Sequence, residues 1–118
     1  MSRLACMADS TVIKVASAYS PKGKLGQKYL ATGKSIAMRL WDETAHENKE
    51  SNIAREYETV GFVLDGSAEL EIEGQTIRLE QGDSWVVPKG AKHTYRIKDN
   101  FRAVEATHPP AHAHARDE

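Results

Sequence analysis

The chain has 118 residues, of which 40% are hydrophobic and 28% are charged, and its formal net charge is −1. This length supports one domain with a single core. The charge argues against nucleic acid or an anionic membrane as a partner, because neither a basic excess nor a basic cluster is present. The one cysteine, Cys6, excludes an intrachain disulfide, and no apolar run reaches the length of a membrane span. We therefore expect a cytoplasmic protein.

The first half of the chain predicts short strands and one long polar loop. Residues 11–16 are rich in β-branched side chains and predict an edge strand or a swapped strand. Residues 28–31 and 35–41, with Gly33 in the turn between them, predict a hairpin. Residues 42–52 are polar and follow neither a helical nor a strand period, so they predict a solvated loop.

The second half predicts more strands, separated by turn residues. An apolar run at 60–64 ends at Asp65-Gly66, which indicates a turn. Residues 68–73 and 76–80 alternate strictly and predict a hairpin whose glutamates form a solvated outer face. Further strands follow at residues 84–87, 93–97 and 101–107. Many short strands with glycine and proline between them predict an all-β fold, an antiparallel barrel or sandwich with little helix.

Four residues around the strand predicted at 84–87 form a spaced motif. Gly82, Pro88, Gly90 and His93 follow the pattern G-x5-P-x-G-x2-H. This pattern resembles the second signature motif of the cupin family, and residues 57–66 resemble the end of the first. The resemblance covers residues 36–107 and implies an antiparallel double-stranded β-helix, the cupin or jelly-roll barrel. It suggests a disordered N-terminal extension at 1–10, a cupin β-barrel domain at 11–110 and a mobile C-terminal tail at 111–118.

The first cupin motif, G-x5-H-x-H-x3,4-E-x6-G, carries three of the family's four metal ligands. With its last glycine at Gly66, the glutamate position falls on Thr59. The two histidine positions fall on Arg55 and Ile53, or on Ala54 and Asn52 with the longer spacing. Only His93 matches a ligand position. Because a first-row divalent metal needs three or more converging donors, we expect no metal ligands and no cofactor, with a divalent metal as the alternative.

The residues that replace the ligands predict a different kind of site. Arg55, Tyr57 and Thr59 share one strand face, which the family's geometry turns into the barrel together with His93 and Tyr95. An arginine fork surrounded by single hydrogen-bonding groups is suited to a small polar or anionic metabolite. These five residues are therefore the predicted ligand-binding site. In the alternative interpretation, Arg55 pairs with a glutamate at the rim and His93 is a core histidine with its hydrogen bonds satisfied.

Two classes of function follow, and the sequence does not choose between them. One is a binding cupin of unassigned biological role that holds a small metabolite without a metal. The other is a cupin enzyme, either isomerase-like with His93 as base and Tyr57 or Tyr95 as acid, or a metal-dependent dioxygenase. A base at His93 needs a carboxylate or a carbonyl to orient its other nitrogen, and Glu105 is a candidate for that partner. No residue is assigned a catalytic role from sequence alone.

The sequence also predicts partners of the protein and possible roles for its two tryptophans and its C-terminal histidines. A small-molecule ligand is expected, and a homodimer, because an exposed edge strand needs covering. Trp41 and Trp85 are either ligand-stacking platforms or anchors of the core or of a dimer interface. In the tail, His112 and His114 are ligand-type residues that an extended chain would bring over the barrel mouth toward His93.

Overall fold

Two antiparallel sheets that share one long strand make up the protein. The computed structural model describes residues 12–23, 26–43, 46–47, 54–98 and 100–113, with only the backbone at 46 and 47. The predicted extension at 1–10 lies outside these ranges. The strands are β1 (Lys28–Thr32), β2 (Ala37–Glu43), β3 (His46–Glu47), β4 (Glu58–Ile72), β5 (Gln75–Glu80), β6 (Ser84–Val87), β7 (His93–Ile97) and β8 (Phe101–His108).

The long strand β4 carries the chain from one sheet into the other. Its first half lies in the larger sheet, with order β1-β2-β8-β4-β6, and its second half lies in the smaller sheet, with order β3-β7-β4-β5. All of these pairings are antiparallel. They confirm the predicted all-β, antiparallel double-stranded β-helix with little helix, since the helical element of the described residues is a short 3₁₀ turn at Ser17–Tyr19, before β1.

The turn predicted at Asp65-Gly66 is wrong, because the strand bends there and continues. Pairing with β8 runs through a bulge between Val63 and Asp65, so the ladder is kept. Gly66 has a φ of 79°, and a Cβ there would lie 1.7 Å from the carbonyl oxygen of Asn100. Glycine is therefore required at the point where β4 passes between the sheets.

The two predicted hairpins are confirmed. β1 pairs with β2, and β4 pairs with β5 in a register that places Glu69 opposite Arg78. Glu73 and Gly74 form the two-residue turn of the second hairpin, with φ angles of 47° and 79°. Positive φ at both positions matches the right-handed twist of a tight hairpin.

Two predictions from the first half of the chain need correction. Residues 12–16 are exposed and pair with none of the strands of the described residues, so the predicted edge strand is not formed within one molecule. The predicted loop at 42–52 contains strand β3, whose His46 and Glu47 pair with Ile97 and Arg96. This strand forms by backbone pairing with β7. Two polar residues show no alternation of apolar and polar side chains, so the sequence does not predict it.

Inward-facing side chains of both sheets form one core. It contains Val63, Ala68, Leu70, Leu79, Val87, Ile97, Phe101 and Ala103. The outer face of the smaller sheet is charged, and Glu69 and Glu71 lie near Arg96 and Lys98 there. The acidic row of β4 is therefore a solvated, paired sheet face. No helix within the described ranges is long and apolar enough to cross a bilayer.

Candidate functional site

Three of the predicted site residues lie on the inner side of the chain leading into β4. Arg55, Tyr57 and Thr59 are buried, with exposed fractions of 8%, 3% and 3%. The residues between them, Glu56 and Glu58, are exposed. Only Thr59 lies on β4, because the strand begins at Glu58 and the chain bends at residues 56 and 57. The prediction that all three residues share one strand face is therefore wrong for Arg55 and Tyr57. A guanidinium, a phenol and a hydroxyl from one short segment are nevertheless all buried.

The other two predicted residues come from the smaller sheet. His93 and Tyr95 are neighbours on one face of β7, and their rings meet edge to face with centroids 5.7 Å apart. The Tyr95 hydroxyl accepts a hydrogen bond of 3.1 Å from the indole N–H of Trp85 on β6. This bond joins the two sheets across the barrel interior.

His93 is oriented by a backbone carbonyl rather than by a carboxylate. Its Nδ1 lies 2.9 Å from the carbonyl oxygen of Ala91, so the Nδ1–H donates and Nε2 is left as an acceptor. A carbonyl was one of the two orienting groups expected from sequence, whereas the candidate carboxylate, Glu105, accepts from Arg39 and Trp41 instead. Burial lowers the pKa of His93, and the charges of Arg55 and Arg39 lower it further. The Ala91 bond and the Glu105 charge act in the opposite direction without reversing the shift.

Tyr95 is held in its protonated form. Burial raises its pKa well above 10.0, and the nearby Glu105 carboxylate acts in the same direction. The Trp85 hydrogen bond and the charge of Arg39 oppose this effect. A neutral imidazole and a protonated phenol therefore lie side by side near neutral pH.

A second polar cluster, which the sequence did not reveal, lies on the larger sheet. Arg39 of β2 donates from Nε to Glu105 Oε1 at 2.6 Å and from Nη1 to the Tyr57 hydroxyl at 3.2 Å. Trp41 donates its indole N–H to the same Oε1 at 2.7 Å. The Arg39 guanidinium lies 5.3 Å from the Trp41 ring centroid and 5.2 Å from the Tyr57 centroid. Arg39 is thus held by a carboxylate and two aromatic rings.

Register explains why Arg39 and Glu105 meet. They are directly opposite each other in the β2–β8 ladder, and both side chains face inward. The only sequence signal was a charged residue within an apolar strand on each side. Because the two residues are 66 positions apart, their pairing depends on strand order, which local pattern does not specify.

Arg55 differs from Arg39 in its surroundings. Among the described residues no carboxylate pairs with its guanidinium, and Glu105, the internal partner considered from sequence, is taken by Arg39. The alternative of a rim glutamate is likewise not seen in the described ranges. Arg55 is nevertheless close enough to affect the titration of His93. Its charge therefore acts on the same interior as the other predicted residues.

Gly61 provides the space in which Trp85 lies. The two residues are opposite each other in the β4–β6 ladder, and Gly61 is also opposite Glu105 on β8. A Cβ on Gly61 would lie 2.4 Å from Cη2 of Trp85. The indole therefore lies across the strand at this glycine and packs on the core, as Trp41 also does.

The described residues do not fit a divalent metal. No group of three or more histidine, cysteine, aspartate or glutamate side chains converges within the described ranges. The potential donors near His93 share the interior with the cationic Arg39 and Arg55, which oppose a bound cation. His112 lies against Tyr29, with ring centroids 5.1 Å apart, rather than beside His93, and His114 is outside the described residues.

Comparison with protein families agrees with this architecture. A family model described as Cupin domain matches residues 40–107, more than half of the chain. The chain is a member of the cupin family. Residues 55–61 and 93–105, which carry the site, lie within the matched region. The resemblance of the Gly82–His93 motif is therefore confirmed at the level of the family.

Curated relatives align with this cupin over only part of their length. Acetate kinase EutQ of Clostridioides difficile (strain 630) is 28% identical over 53 residues, which are 45% of this chain and 34% of that protein. An uncharacterized protein of Aquifex aeolicus (strain VF5) is 35% identical over 57 residues, or 48% of this chain and 47% of that protein. The match thus spans between a third and a half of these relatives.

Solved structures share the fold at low sequence identity. KdgF from a Halomonas species has a TM-score of 0.69 at 17% identity, covering 85% of this chain and 96% of that one. An RmlC-like cupin from Shewanella frigidimarina has a TM-score of 0.70 at 16% identity, covering 86% and 95%. The Clostridium difficile EutQ protein has a TM-score of 0.65 at 20% identity, covering 82% and 74%. These likenesses establish a shared fold.

Proposed function

We propose that this cupin binds a small polar or anionic metabolite inside its barrel, without the metal ion that the family's histidine motif would hold. The observation that carries the proposal is Arg55, a residue that is 8% exposed and whose guanidinium has no carboxylate partner among the described residues. A buried charge without a counter-charge is unfavourable by several kcal/mol. A ligand carboxylate or similar anion would supply the missing charge.

The groups around Arg55 suit such a ligand. Its guanidinium offers two parallel N–H donors to a planar anion. The Nε2 of His93 is left free by the Ala91 bond and accepts a hydrogen bond from a ligand hydroxyl or acid. Thr59 provides a further hydroxyl on the same face. The Clostridioides difficile relative is named an acetate kinase, a name that refers to a small carboxylate, which supports the choice of acetate as one probe.

The experiment compares thermal unfolding of the wild type, Arg55→Met and Arg102→Met in a panel of small carboxylates that includes acetate. Arg102 is the matched control, because it is exposed and lies beside Asp42 outside the barrel. A ligand at about 100 times its Kd stabilises by about 2.7 kcal/mol, which corresponds to a rise in Tm of several °C.

We expect at least one carboxylate to raise the Tm of the wild type and of Arg102→Met, and to leave that of Arg55→Met unchanged. Equal responses of all three proteins to every carboxylate would refute the proposal. Elemental analysis of untagged protein is a second check. About one tightly held metal per chain, retained after mild chelation, would contradict the metal-free site.

One observation favours an enzyme as the second candidate. His93 is neutral with a free Nε2, and the adjacent Tyr95 is protonated, so a base and an acid lie side by side. That pair is suited to moving a proton on a bound ligand without a metal. Exchange of a ligand C–H for deuterium, lost in His93→Gln, would support this candidate. A cytoplasmic location is part of the same proposal, since the single cysteine is consistent with a reducing compartment.

A further inference from the structure

The inner face of β7 opens on accessible space at one end. Ile97 on this face is 6% exposed and belongs to the core, whereas His93 and Tyr95, which precede it on the same face, are only partly buried. Alternation along the strand turns all three side chains to the same side. The His93 end of the face is therefore not filled by side chains of the described residues, and a ligand in the barrel can reach both rings.

The hydrogen bonds that His93 and Tyr95 already make leave one acceptor and one donor. A carbonyl oxygen only accepts, so the 2.9 Å contact with Ala91 fixes the proton of a neutral His93 on Nδ1 and leaves a lone pair on Nε2. An indole nitrogen only donates, so the 3.1 Å bond from Trp85 uses an acceptor position of the Tyr95 oxygen. The phenol proton of Tyr95 is then left to be donated elsewhere.

Neither of these two groups is satisfied within the part of the chain that the structure describes. No group there donates to Nε2 of His93, and none accepts the proton of Tyr95. The two residues do not bond to each other, although their rings meet edge to face with centroids 5.7 Å apart. Partly buried polar groups of this kind are normally completed by water or by a ligand. The pair is therefore a donor and an acceptor side by side on the inner face.

The interior favours the protonation states that leave this donor and this acceptor. Burial, together with the charges of Arg55 and Arg39, lowers the pKa of His93, so Nε2 keeps its lone pair near neutral pH. Burial also raises the pKa of Tyr95 well above 10.0, so the phenol keeps its proton. The direction of each hydrogen bond to a ligand is thereby fixed.

We propose that the ligand of this barrel is a hydroxycarboxylic acid, whose carboxylate binds Arg55 and whose hydroxyl lies between His93 and Tyr95. This inference rests on the proposed function, because it gives Arg55 the same role. A hydroxyl both donates and accepts from a single oxygen. That oxygen accepts the proton of Tyr95, and its own proton is donated to Nε2 of His93.

The same pair disfavours other functional groups at this position. A ketone or carboxylate oxygen accepts from Tyr95 but brings its lone pairs against that of His93 Nε2. An ammonium donates to Nε2 but cannot accept from Tyr95, and the nearby charges of Arg39 and Arg55 oppose it. A carbon atom leaves both protein groups unpaired. Because unpaired buried polar groups are unfavourable, a site of this kind rejects analogues that lack the hydroxyl.

The test measures Kd by NMR titration near neutral pH for butyrate, its α-, β- and γ-hydroxy derivatives, α-ketobutyrate and acetoacetate. The three hydroxy acids differ only in the separation of hydroxyl and carboxylate, and the two keto acids replace the hydroxyl by an acceptor alone. We expect one hydroxy acid to bind at least tenfold more tightly than butyrate and the keto acids.

The outcomes separate this inference from the proposed function on which it rests. Equal binding of all six acids, lost in Arg55→Met, would overturn the hydroxy acid and leave the proposed function standing. Binding of none of them, or binding that Arg55→Met does not weaken, would overturn both.

Two variants test whether the pair recognises the hydroxyl. Tyr95→Phe removes only the phenol oxygen, and His93→Phe keeps an aromatic ring beside Tyr95 while removing both ring nitrogens. In each variant the ratio of the butyrate Kd to that of the preferred hydroxy acid should fall toward one. Tyr19→Phe is the matched control, because Tyr19 is 90% exposed, and it should keep the wild-type ratio.

The ratio compares two ligands on the same protein, so a general loss of affinity does not change it. If one variant does not fold by circular dichroism, the other tests the same hydroxyl. A preference for the hydroxy acid that persists in Tyr95→Phe or in His93→Phe would overturn the inference.

Discussion

Two arginines are buried in the same barrel, and their surroundings differ. Arg39 is 5% exposed and is held by the Glu105 carboxylate at 2.6 Å, together with the Tyr57 hydroxyl. Arg55 is 8% exposed and has no carboxylate partner among the described residues. Glu105 neutralises the first charge, whereas no carboxylate of the described residues neutralises the second. Burial of an arginine therefore does not by itself mark it as a candidate for ligand binding, and the counter-charge must be considered as well.

The largest expected effect is on the free energy of unfolding, which substitution of the two arginines should change differently. Arg39→Met leaves the Glu105 carboxylate buried without its counter-charge, so the free energy of unfolding should fall by about 3–5 kcal/mol. Arg55→Met removes a charge that has no carboxylate partner among the described residues, so the ligand-free protein should be as stable as the wild type or more so. Urea unfolding of the three proteins measures both changes.

A double variant checks the reason for that loss. Arg39→Met with Glu105→Leu removes both charges, and most of the stability lost in Arg39→Met should return. If Arg55→Met loses as much stability as Arg39→Met, then Arg55 has an internal partner and the contrast between the two arginines is wrong.

A smaller effect should come from Gly61, which lies beside Glu105 in the ladder and makes room for Trp85. Gly61→Ala would place a Cβ 2.4 Å from the indole, which must then move. Overpacking of this kind lowers the free energy of unfolding by about 1–3 kcal/mol. The displaced Trp85 should also lose its bond to Tyr95, which would shift the tryptophan emission.

Gly33→Ala is a milder comparison, because Gly33 has no positive φ and its Cβ would make one tight contact, 3.3 Å from the Ile36 carbonyl oxygen. It should lower the free energy of unfolding by less than Gly61→Ala does and leave the tryptophan emission unchanged. The Gly61 variant also sharpens the comparison of the arginines. If Gly61→Ala binds carboxylates more weakly while the Arg39–Glu105 pair stays intact, then the position of the Trp85 indole affects binding at Arg55. An unchanged emission in Gly61→Ala would mean that Trp85 does not depend on this glycine.

Much of the fold follows from local pattern, and the parts that do not are set by distant pairing. The β4–β5 hairpin was predictable because its alternation and its glycine turn are adjacent in sequence. Strand β3 was not, since His46 and Glu47 become a strand only by pairing with β7. The continuation of β4 through Gly66 was also missed, because pairing with β8 overrides a turn signal.

The site divides in the same way. Arg55 and His93 were predicted as candidates because a family motif fixes their spacing along the chain. Arg39 was missed because β2 has apolar residues on both faces, Met38 on one and Trp41 on the other. Period alone therefore does not indicate which face of β2 is inward. The register with Glu105 decides it, and this register is a property of the folded sheet.

The smallest expected effect lies in the titration of His93, whose pKa is lowered below its usual value of 6.5 mainly by burial. As pH falls below 6.5, the unfolded chain takes up a proton on this histidine before the native protein does. Native stability is therefore lost as pH falls from 6.5 through the lowered native pKa, and this contribution is fully present above 6.5. His93→Gln should lose less stability than the wild type between about pH 7.5 and about pH 5.5.

The charge of Arg55 also lowers the pKa of His93, and by more than the charge of Arg39 does. The titration of His93 therefore tests the difference between the two arginines. In Arg55→Met the pKa of His93 should rise toward 6.5, because one of the cations opposing the imidazolium is gone. A carboxylate bound at Arg55 should raise it in the wild type for the same reason, with uptake of protons on binding.

Two-dimensional NMR of the imidazole measures the change in the His93 pKa, and calorimetry in buffers of different ionisation enthalpy measures the uptake of protons on binding. Arg102→Met is the control and should leave the titration as it is. An identical His93 pKa in the wild type and Arg55→Met would place Arg55 away from this interior, and an anion that binds without shifting His93 would bind elsewhere.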